Sequence, residues 1–529
     1  MIRHSLIALT ALIAPALSAQ QPCEKLANLQ LPHTTITSAA VVAEGPMKLP
    51  SPFGAPATFT VPARCDVKGV AKPTSDSEIQ FEVWLPVSGW NGKYEQAGNG
   101  GWAGSIPVQS LIEPLHRGYA VSGTDDGHQG SLAPDAAWAT GHPEKLIDFG
   151  YRAVHETAVA SKAVIRAFYG KDPSRDYFVG CSDGGREALM EAQRYPDDFS
   201  GIIAGAPANN WSHLFTGFVW NAQGLQADPA AALTPAKLAV VQKAALAKCD
   251  TIDGVKDGLV EDPRMCHFDP GVVACKDADG PGCLTASQVE AVRRIYAGPK
   301  NPRTKAQIFP GYPPSTEAVP GTWGLWIAAA QPQPSVQFMF ATSYFGQVVF
   351  ENPKWDFHTF DFDKDVAAAD KKTAPILNST NPDLRAFEKR GGKLIQYHGW
   401  GDAAISPLSS IQYYGAVKAF MAKNAGQVSL PVFYRLFMVP GMGHCGGGAG
   451  PNNFGNGEGS TNIDAEHDIV TALDRWVEQG TAPDKLIGTG AGLTRPLCPY
   501  PQVALYKGTG DTNDAANFTC SAPSGSGQF

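Results

Sequence analysis

Charge is what this chain has least of. Only 17% of its 529 residues are Asp, Glu, Lys or Arg, and 42 basic against 50 acidic residues leave a net charge of −8. No basic stripe is present, which argues against a nucleic-acid partner. Long apolar runs are missing too. Beyond the N-terminus no stretch is long enough to cross a bilayer, so no membrane partner is expected. No two cysteines are spaced Cys-x-x-Cys, which argues against a zinc site. Internal repeats and coiled-coil heptads are also lacking.

What remains is 43% hydrophobic, with 56 Gly and 42 Pro, the composition of a globular, loop-rich protein. The length exceeds the usual size of one domain, so a core with a large insertion or a second domain is expected. Met1-Ile2-Arg3-His4 is a short basic start, Leu6 to Leu17 is apolar, and Ser18-Ala19 offers small residues for cleavage. Residues 1–19 therefore read as a signal peptide, and the protein as secreted or periplasmic. Ten cysteines suit an exported chain that forms disulfides, although spacing alone leaves their pairing open.

The richest stretch is Tyr177 to Met190. An apolar run ends in Gly180-Cys181-Ser182-Asp183-Gly184, and helix formers follow at once. Strand, sharp turn and helix around Gly-x-Ser-x-Gly form a nucleophile elbow, with Ser182 at a helix N-terminus where developing negative charge is favoured. On either side, strands and helices alternate. Strands are expected at Glu78–Pro86, Tyr94–Ala97, Tyr119–Asp125 and Gly201–Pro207, and residues 24–77 read as irregular and β-rich. A helix is expected over Asp148–Phe168, and another after the elbow through Tyr195. The alternation stops after Pro207 and resumes with a strand at Lys393–Gly399, a helix near 408–423, a strand at Val432–Met438 and a helix at Ala465–Gln479. The fold class is α/β, an α/β-hydrolase core over 20–207 and 376–529 with a lid inserted over 208–375.

A serine nucleophile needs a base, and the base needs an orienting carboxylate, in the chain order Ser, acid, His. Asp402 follows the strand ending near Tyr397, and His444 follows the strand ending at Met438. Asp363 and Asp383 are rival carboxylates, but neither follows a clear strand. The oxyanion site calls for the N–H of Asp183 and one from Gly100 or Gly101, a choice the sequence leaves open.

A cysteine stands immediately before the serine, Cys181, and another immediately after the histidine, Cys445. With Gly98-Asn99-Gly100-Gly101-Trp102-Ala103-Gly104 and Gly205-Ala206-Pro207-Ala208, this pattern resembles the tannase and feruloyl esterase family, over nearly the whole mature chain. The resemblance implies a Cys181–Cys445 bridge tying the serine turn to the histidine loop. Together with local spacing it also implies the pairs Cys23–Cys65, Cys249–Cys266, Cys275–Cys283 and Cys498–Cys520. It places His398 near the substrate, a loop histidine being the other reading. In Cys249–Leu259, three carboxylates among tight-turn glycines suit a hard cation. By resemblance, Asp250, Asp253 and Asp257 would bind Ca²⁺ through side chains, and Val255 and Leu259 through carbonyls, as a structural ion of the lid. No organic cofactor is implied.

Residues 306–353 contain no Lys or Arg but carry Phe309, Tyr312, Trp323, Trp326, Phe338, Phe340, Tyr344, Phe345 and Phe350. Most should form lid core, and a few should face an aromatic acyl group. The expected function is that of a serine carboxylesterase acting on small aromatic esters, feruloyl or hydroxycinnamoyl first and galloyl second. Such esters can be attached to plant polysaccharide or polyphenol. A galloyl esterase, or an esterase acting on the half-ester mono(2-hydroxyethyl) terephthalate, is the alternative within the class, although the half-ester is expected to be a poor substrate for want of a cation to meet its free carboxylate. A hydrolase fold without activity that binds polyphenol or carbohydrate is the alternative of another class.

Overall fold

The computed structural model describes residues 20–51, 54–130, 134–226, 228–328, 334–426, 429–457 and 462–523. The expected signal peptide lies outside them. Strands β1 (Thr34–Val42), β2 (Gly45–Ser51), β3 (Gly54–Val61), β4 (Arg64–Ala71), β5 (Ile79–Pro86), β6 (Lys93–Ala97), β7 (Ala120–Thr124), β8 (Arg175–Cys181), β9 (Gly201–Gly205), β10 (Lys393–Gly399) and β11 (Tyr434–Val439) make up the core. Among the described residues they form a nine-stranded sheet in the order β1-β4-β5-β7-β6-β8-β9-β10-β11, with β2 and β3 apart as a hairpin. From β7 to β11 all neighbours are parallel, while β1, β4 and β5 add an antiparallel edge.

Parallel strands must be covered on both faces, and the sequence supplies apolar residues in consecutive positions for that purpose. Phe178, Ile202 and Leu394 point into one core, whereas their neighbours Tyr177, Ile203 and Ile395 point into the other. The first face is closed by the helix Ala153–Tyr169, by Asp183–Arg194 and by Leu408–Asn424; the second is closed by Val108–His116 and Ile469–Gln479. The expected helix over 148–168 begins instead with a π turn at Asp148–Arg152 and ends on Gly170 in the left-handed region. The last core helix starts at Ile469, not 465, because Asp468 caps it by accepting the Thr471 N–H at 2.8 Å.

Strands β9 and β10 are neighbours, yet the chain between them runs through an insertion of helices. Trp211–Gln226, Pro235–Cys249, Ala286–Ala297, Val336–Thr342 and Lys364–Leu377 are its main helices, and the expected boundary at 375 falls inside the last of these. After the final core helix the chain forms two hairpins, β12 (Leu486–Gly490) with β13 (Leu493–Leu497) and β14 (Val503–Tyr506) with β15 (Phe518–Ser521). The sequence reading assigned no elements there. All ten cysteines are bonded, in the pairs 23–65, 181–445, 249–266, 275–283 and 498–520. These are the pairs that the family resemblance implies.

Candidate active site

Ser182 sits in the turn between β8 and the helix Asp183–Arg194, with φ 66° and ψ −119°. A non-glycine residue is held there only when its surroundings over-determine it. The Ser182 N–H donates to Gly205 O at 3.0 Å, and its carbonyl accepts from the N–H groups of Gly185, Arg186 and Ala208. Gly184 leaves no room for a side chain, since a Cβ there would stand 2.8 Å from Asn99 O.

Asp402 and His444 come from the loops after β10 and β11, and those loops are hydrogen-bonded to each other. The Trp400 N–H donates to Val439 O at 2.8 Å, and the Gly401 N–H donates to Met442 O at 2.8 Å. Three residues remote in sequence thus meet at one sheet edge. His444 Nε2 lies 2.9 Å from Ser182 Oγ, and His444 Nδ1 lies 2.8 Å from Asp402 Oδ2. The other Asp402 oxygen accepts from the N–H groups of Ala404 and Ile405 at 2.8 and 2.9 Å. Burial alone would raise the Asp402 carboxyl, but the imidazoles of His444 and His398 reverse that and hold it well below the usual carboxylate range. Asp402 therefore stays ionised beside the imidazole it orients. The Cys181–Cys445 bond, with Cα atoms 5.9 Å apart, joins the neighbours of the serine and the histidine. The rival carboxylates lie elsewhere: Asp363 pairs with Arg303, and Asp383 with Arg385.

His398 departs from its expected place near the substrate. Its side chain is fully buried behind Asp402, with Nε2 at 3.1 Å from both Asp402 Oδ2 and Ile405 O, and Nδ1 at 2.7 Å from Ser410 Oγ. The network assigns the proton to Nε2, so His398 braces the acid from below and does not line the cleft. The cause is register: the His398 side chain belongs to a strand buried on both faces, and the chain reaches the cleft only after Gly399.

The backbone N–H groups of Asp183, Gly100 and Gly101 make no hydrogen bond among the described residues, and all three residues border the space in front of Ser182. The Asp183 side chain turns away into a buried ion pair with Arg186. That space is a cleft of about 550 Å³ between the sheet edge and the insertion. Its far wall is apolar and includes Trp211, Leu214, Phe215, Phe218, Met339 and Phe340. Trp326 stands edge-on to the His444 ring, with centroids 5.2 Å apart. No Lys or Arg lines the cleft among the described residues.

Of the nine insertion aromatics expected to divide between core and cleft, Trp326 and Phe340 reach the cleft. Phe309, Tyr312, Trp323, Tyr344 and Phe345 are buried, and Phe338 and Phe350 pack against that core. The sequence reading did not single out Trp211, Leu214, Phe215 and Phe218. Their spacing of three, four and seven residues is the apolar stripe of a helix and was the available signal.

In the loop after Cys249, Asp250 Oδ1 accepts from the N–H groups of Asp257 and Gly258, and Asp253 accepts from those of Val255 and Glu261. Asp257 and Glu261 pair with Arg495 of β13. Burial and the neighbouring carboxylate of Asp257 push Asp253 up to about 6. The donor chemistry fits a hard cation, because the acidic side chains outnumber the one guanidinium that faces them. The three Asp side chains do not converge within 4.8 Å; among the described residues that condition is met by Asp126, Asp183 and Glu187 instead.

The family described as tannase and feruloyl esterase matches residues 65–521. An uncharacterised esterase of Xanthomonas campestris pv. campestris is 42% identical over 98% of this chain and 94% of its own length. The mono(2-hydroxyethyl) terephthalate hydrolase of Piscinibacter sakaiensis is 34% identical over 89% of this chain and 87% of its own. The crystal structure of feruloyl esterase B from Aspergillus oryzae superposes with a TM-score of 0.84 at 30% identity, covering 94% of this chain and 99% of that one. Matches of this extent identify the fold as an α/β-hydrolase and the protein as a carboxylic ester hydrolase, a member of the tannase and feruloyl esterase family.

Proposed function

We propose that the protein is an exported serine esterase that hydrolyses neutral aromatic esters, hydroxycinnamoyl first and galloyl second, through Ser182, His444 and Asp402. The observation that carries this reading is the juxtaposition of the Ser182–His444–Asp402 chain of hydrogen bonds with an aromatic cleft that no Lys or Arg lines among the described residues. His444 takes the proton of Ser182 as Oγ attacks the ester carbonyl. The tetrahedral oxyanion is held by the N–H of Asp183 and one from Gly100 or Gly101. His444 then protonates the leaving alcohol, and in the second half it activates the water that releases the acid. Ionised Asp402 keeps the imidazole in the tautomer this needs, with His398 as its brace. The aromatic acyl group lies against Phe215 and Phe340, where ring contact and removal of apolar surface from water favour it. Ca²⁺ belongs to the same reading as a structural ion. It would be held by Asp250, Asp253 and Asp257 with the carbonyls of Val255 and Leu259, and it would fix that loop against the hairpins.

The test is a panel of methyl ferulate, methyl gallate and mono(2-hydroxyethyl) terephthalate. Methyl ferulate is expected to give the highest kcat/KM. The half-ester should fall on the order of 10²-fold below it, because an unpaired carboxylate resists burial. A half-ester value equal to or above that for methyl ferulate overturns the substrate assignment.

A further inference from the structure

Beneath the cleft, three acidic side chains are packed together that the proposed chemistry does not use as acids or bases. Asp126 follows β7, and Asp183 and Glu187 lie on the helix after the nucleophile. They are at most 2% exposed, and their carboxyl oxygens lie within 4.8 Å of one another. Among the described residues one positive charge faces them, Arg186, whose Nε–H pairs with Asp183 while its two terminal nitrogens each donate to a carbonyl, of Gly150 and of Phe149. Among the described residues, four carboxyl oxygens here make no hydrogen bond within ordinary distance: both of Asp126, Oδ2 of Asp183 and Oε1 of Glu187; the Asn99 amide lies near Asp126 and favours its charged form. Three full charges against one guanidinium, with four acceptors that no protein donor satisfies, is a costly state for side chains this deeply buried. Protons shared between the carboxyls remove both the excess charge and the missing donors.

The remaining oxygen, Glu187 Oε2, accepts the backbone N–H of Asn99 at 3.0 Å. The Asn99 carbonyl in turn accepts the Gly184 N–H at 2.8 Å, and its side chain donates to Thr124 O at 2.9 Å. Asn99 directly precedes Gly100 and Gly101, so Glu187 fixes the backbone that carries one half of the oxyanion site to the helix that carries the other half.

We propose that Asp126 and Glu187 form a proton-sharing acid pair that positions the Gly100–Gly101 backbone, Asp126 donating a shared proton to Glu187 while Glu187 holds the Asn99 N–H. Both are positioning residues, and the inference rests on the serine-esterase reading above. Burial, with Glu187 and Asp183 adding to it, pushes the Asp126 carboxyl well above its ordinary range, in keeping with a retained proton. Among the described residues, the titratable groups near the pair are Asp183, Arg186, Glu191 a turn further along the same helix, and the buried His128, which hydrogen-bonds the Asp126 backbone; the Gly98–Trp102 loop contributes none. Loss of the shared proton at alkaline pH would set two like charges beneath the oxyanion, loosening the loop and opposing the charge that develops there.

Steady-state hydrolysis of methyl ferulate by the full chain tests this across pH. Glu187→Gln keeps an acceptor for Asn99 and should stay within about 3-fold of wild-type kcat. Glu187→Leu removes it and should lose roughly 10²-fold in kcat with KM little changed, the size of effect seen when an oxyanion donor is displaced. If Glu187→Leu does not fold, Glu187→Asp withdraws the acceptor by one methylene and should lower kcat at least about 10-fold. Asp126→Asn supplies its hydrogen bond without a titrating proton and should abolish the alkaline fall of kcat. Undiminished kcat in a folded Glu187→Leu or Glu187→Asp, or an alkaline limb identical in wild type and Asp126→Asn, overturns the proposal. Ser182→Ala, run alongside, separates the two readings. If it stays active, the esterase assignment of the site fails; if it is dead while the acid-pair variants match wild type, the positioning role alone fails.

Discussion

Along the sheet edge, Ser182, Asp402 and His444 are held by backbone hydrogen bonds, by one another and by a disulfide beside the serine and the histidine. The wall facing them is carried by the insertion, whose Phe215, Phe218, Met339 and Phe340 contribute apolar side chains and no polar anchor. The first wall is held by directional bonds, and the second offers shape and an apolar surface. Interactions that strengthen only in the transition state raise kcat, whereas contacts made equally with substrate and transition state act on KM. The two walls should therefore separate in kinetics.

The sharpest test of that division is Ser182→Ala. It should lower kcat by roughly 10⁶-fold while the folded structure persists, as the loss of a nucleophile that acts in concert with its base does elsewhere. Circular dichroism and a hydrolysis assay together check it. Activity within about 10²-fold of wild type would remove Ser182 from the first wall altogether.

Next in size is the covalent tie. Replacing Cys181 and Cys445 by Ser opens a loop of 264 residues. In the chain-entropy view this costs at most about 5–6 kcal/mol of stability, and typical disulfides deliver about 2–4. Denaturant unfolding of the double variant measures it. A change below about 1 kcal/mol would mean that the hydrogen bonds between the loops, not the sulfur bridge, hold serine and histidine together.

This contrast also explains what was legible in the sequence. The serine turn, the Gly98–Gly101 loop and the loops of Asp402 and His444 are constrained locally: glycine where a Cβ would strike backbone, and a candidate residue in the turn or loop that follows β8, β10 and β11. Those constraints leave marks at fixed spacing, so the meeting of Ser182, Asp402 and His444, with Asp183, Gly100 and Gly101 beside them, could be anticipated from the sequence. The insertion is constrained by packing among aromatic side chains distant in sequence, such as Phe215 against Tyr344 and Phe345 against Phe360. No period records which of them faces the cleft. His398 was misplaced because a motif lists neighbours in sequence but not the face of the strand. Glu187 was overlooked because a Glu on an α-helix reads as solvated surface until the sheet and the Asn99 loop are packed around it.

Phe340→Ala should sharpen the comparison from the other side. The side chain is half-buried in the cleft wall, outside the fully buried core, so its loss trims binding surface more than it unfolds the insertion. Removing an aromatic contact of about 1.5–2 kcal/mol should raise KM for methyl ferulate about 10- to 30-fold and leave kcat within about 3-fold. A kcat loss matching the KM change would show that this wall also positions the carbonyl.

The smallest kinetic effect is expected from the proposed calcium loop, which belongs to the insertion but faces away from the aromatic wall. Val255 packs with Cys498, Ala504 and Phe518 of the hairpins, and Leu259 presses on Gly441, where no Cβ would fit. Gly441 lies three residues before His444, so the loop supports the catalytic side at one remove. An ion bound only to the folded chain stabilises it by mass action, by about 2.7 kcal/mol at a hundredfold excess over its dissociation constant. Chelation should therefore lower Tm by a few degrees. At temperatures well below that Tm, kcat should stay within about 2-fold of the untreated enzyme, because no ligand of the ion touches the triad. Readdition of Ca²⁺ should restore Tm. An unchanged Tm, with no calcium found by elemental analysis of the purified protein, would leave Asp250, Asp253 and Asp257 as a loop closed by its own N–H groups and by Arg495. A prompt loss of kcat with Tm unchanged would instead place the loop among the supports of His444 and redraw the line between the two walls.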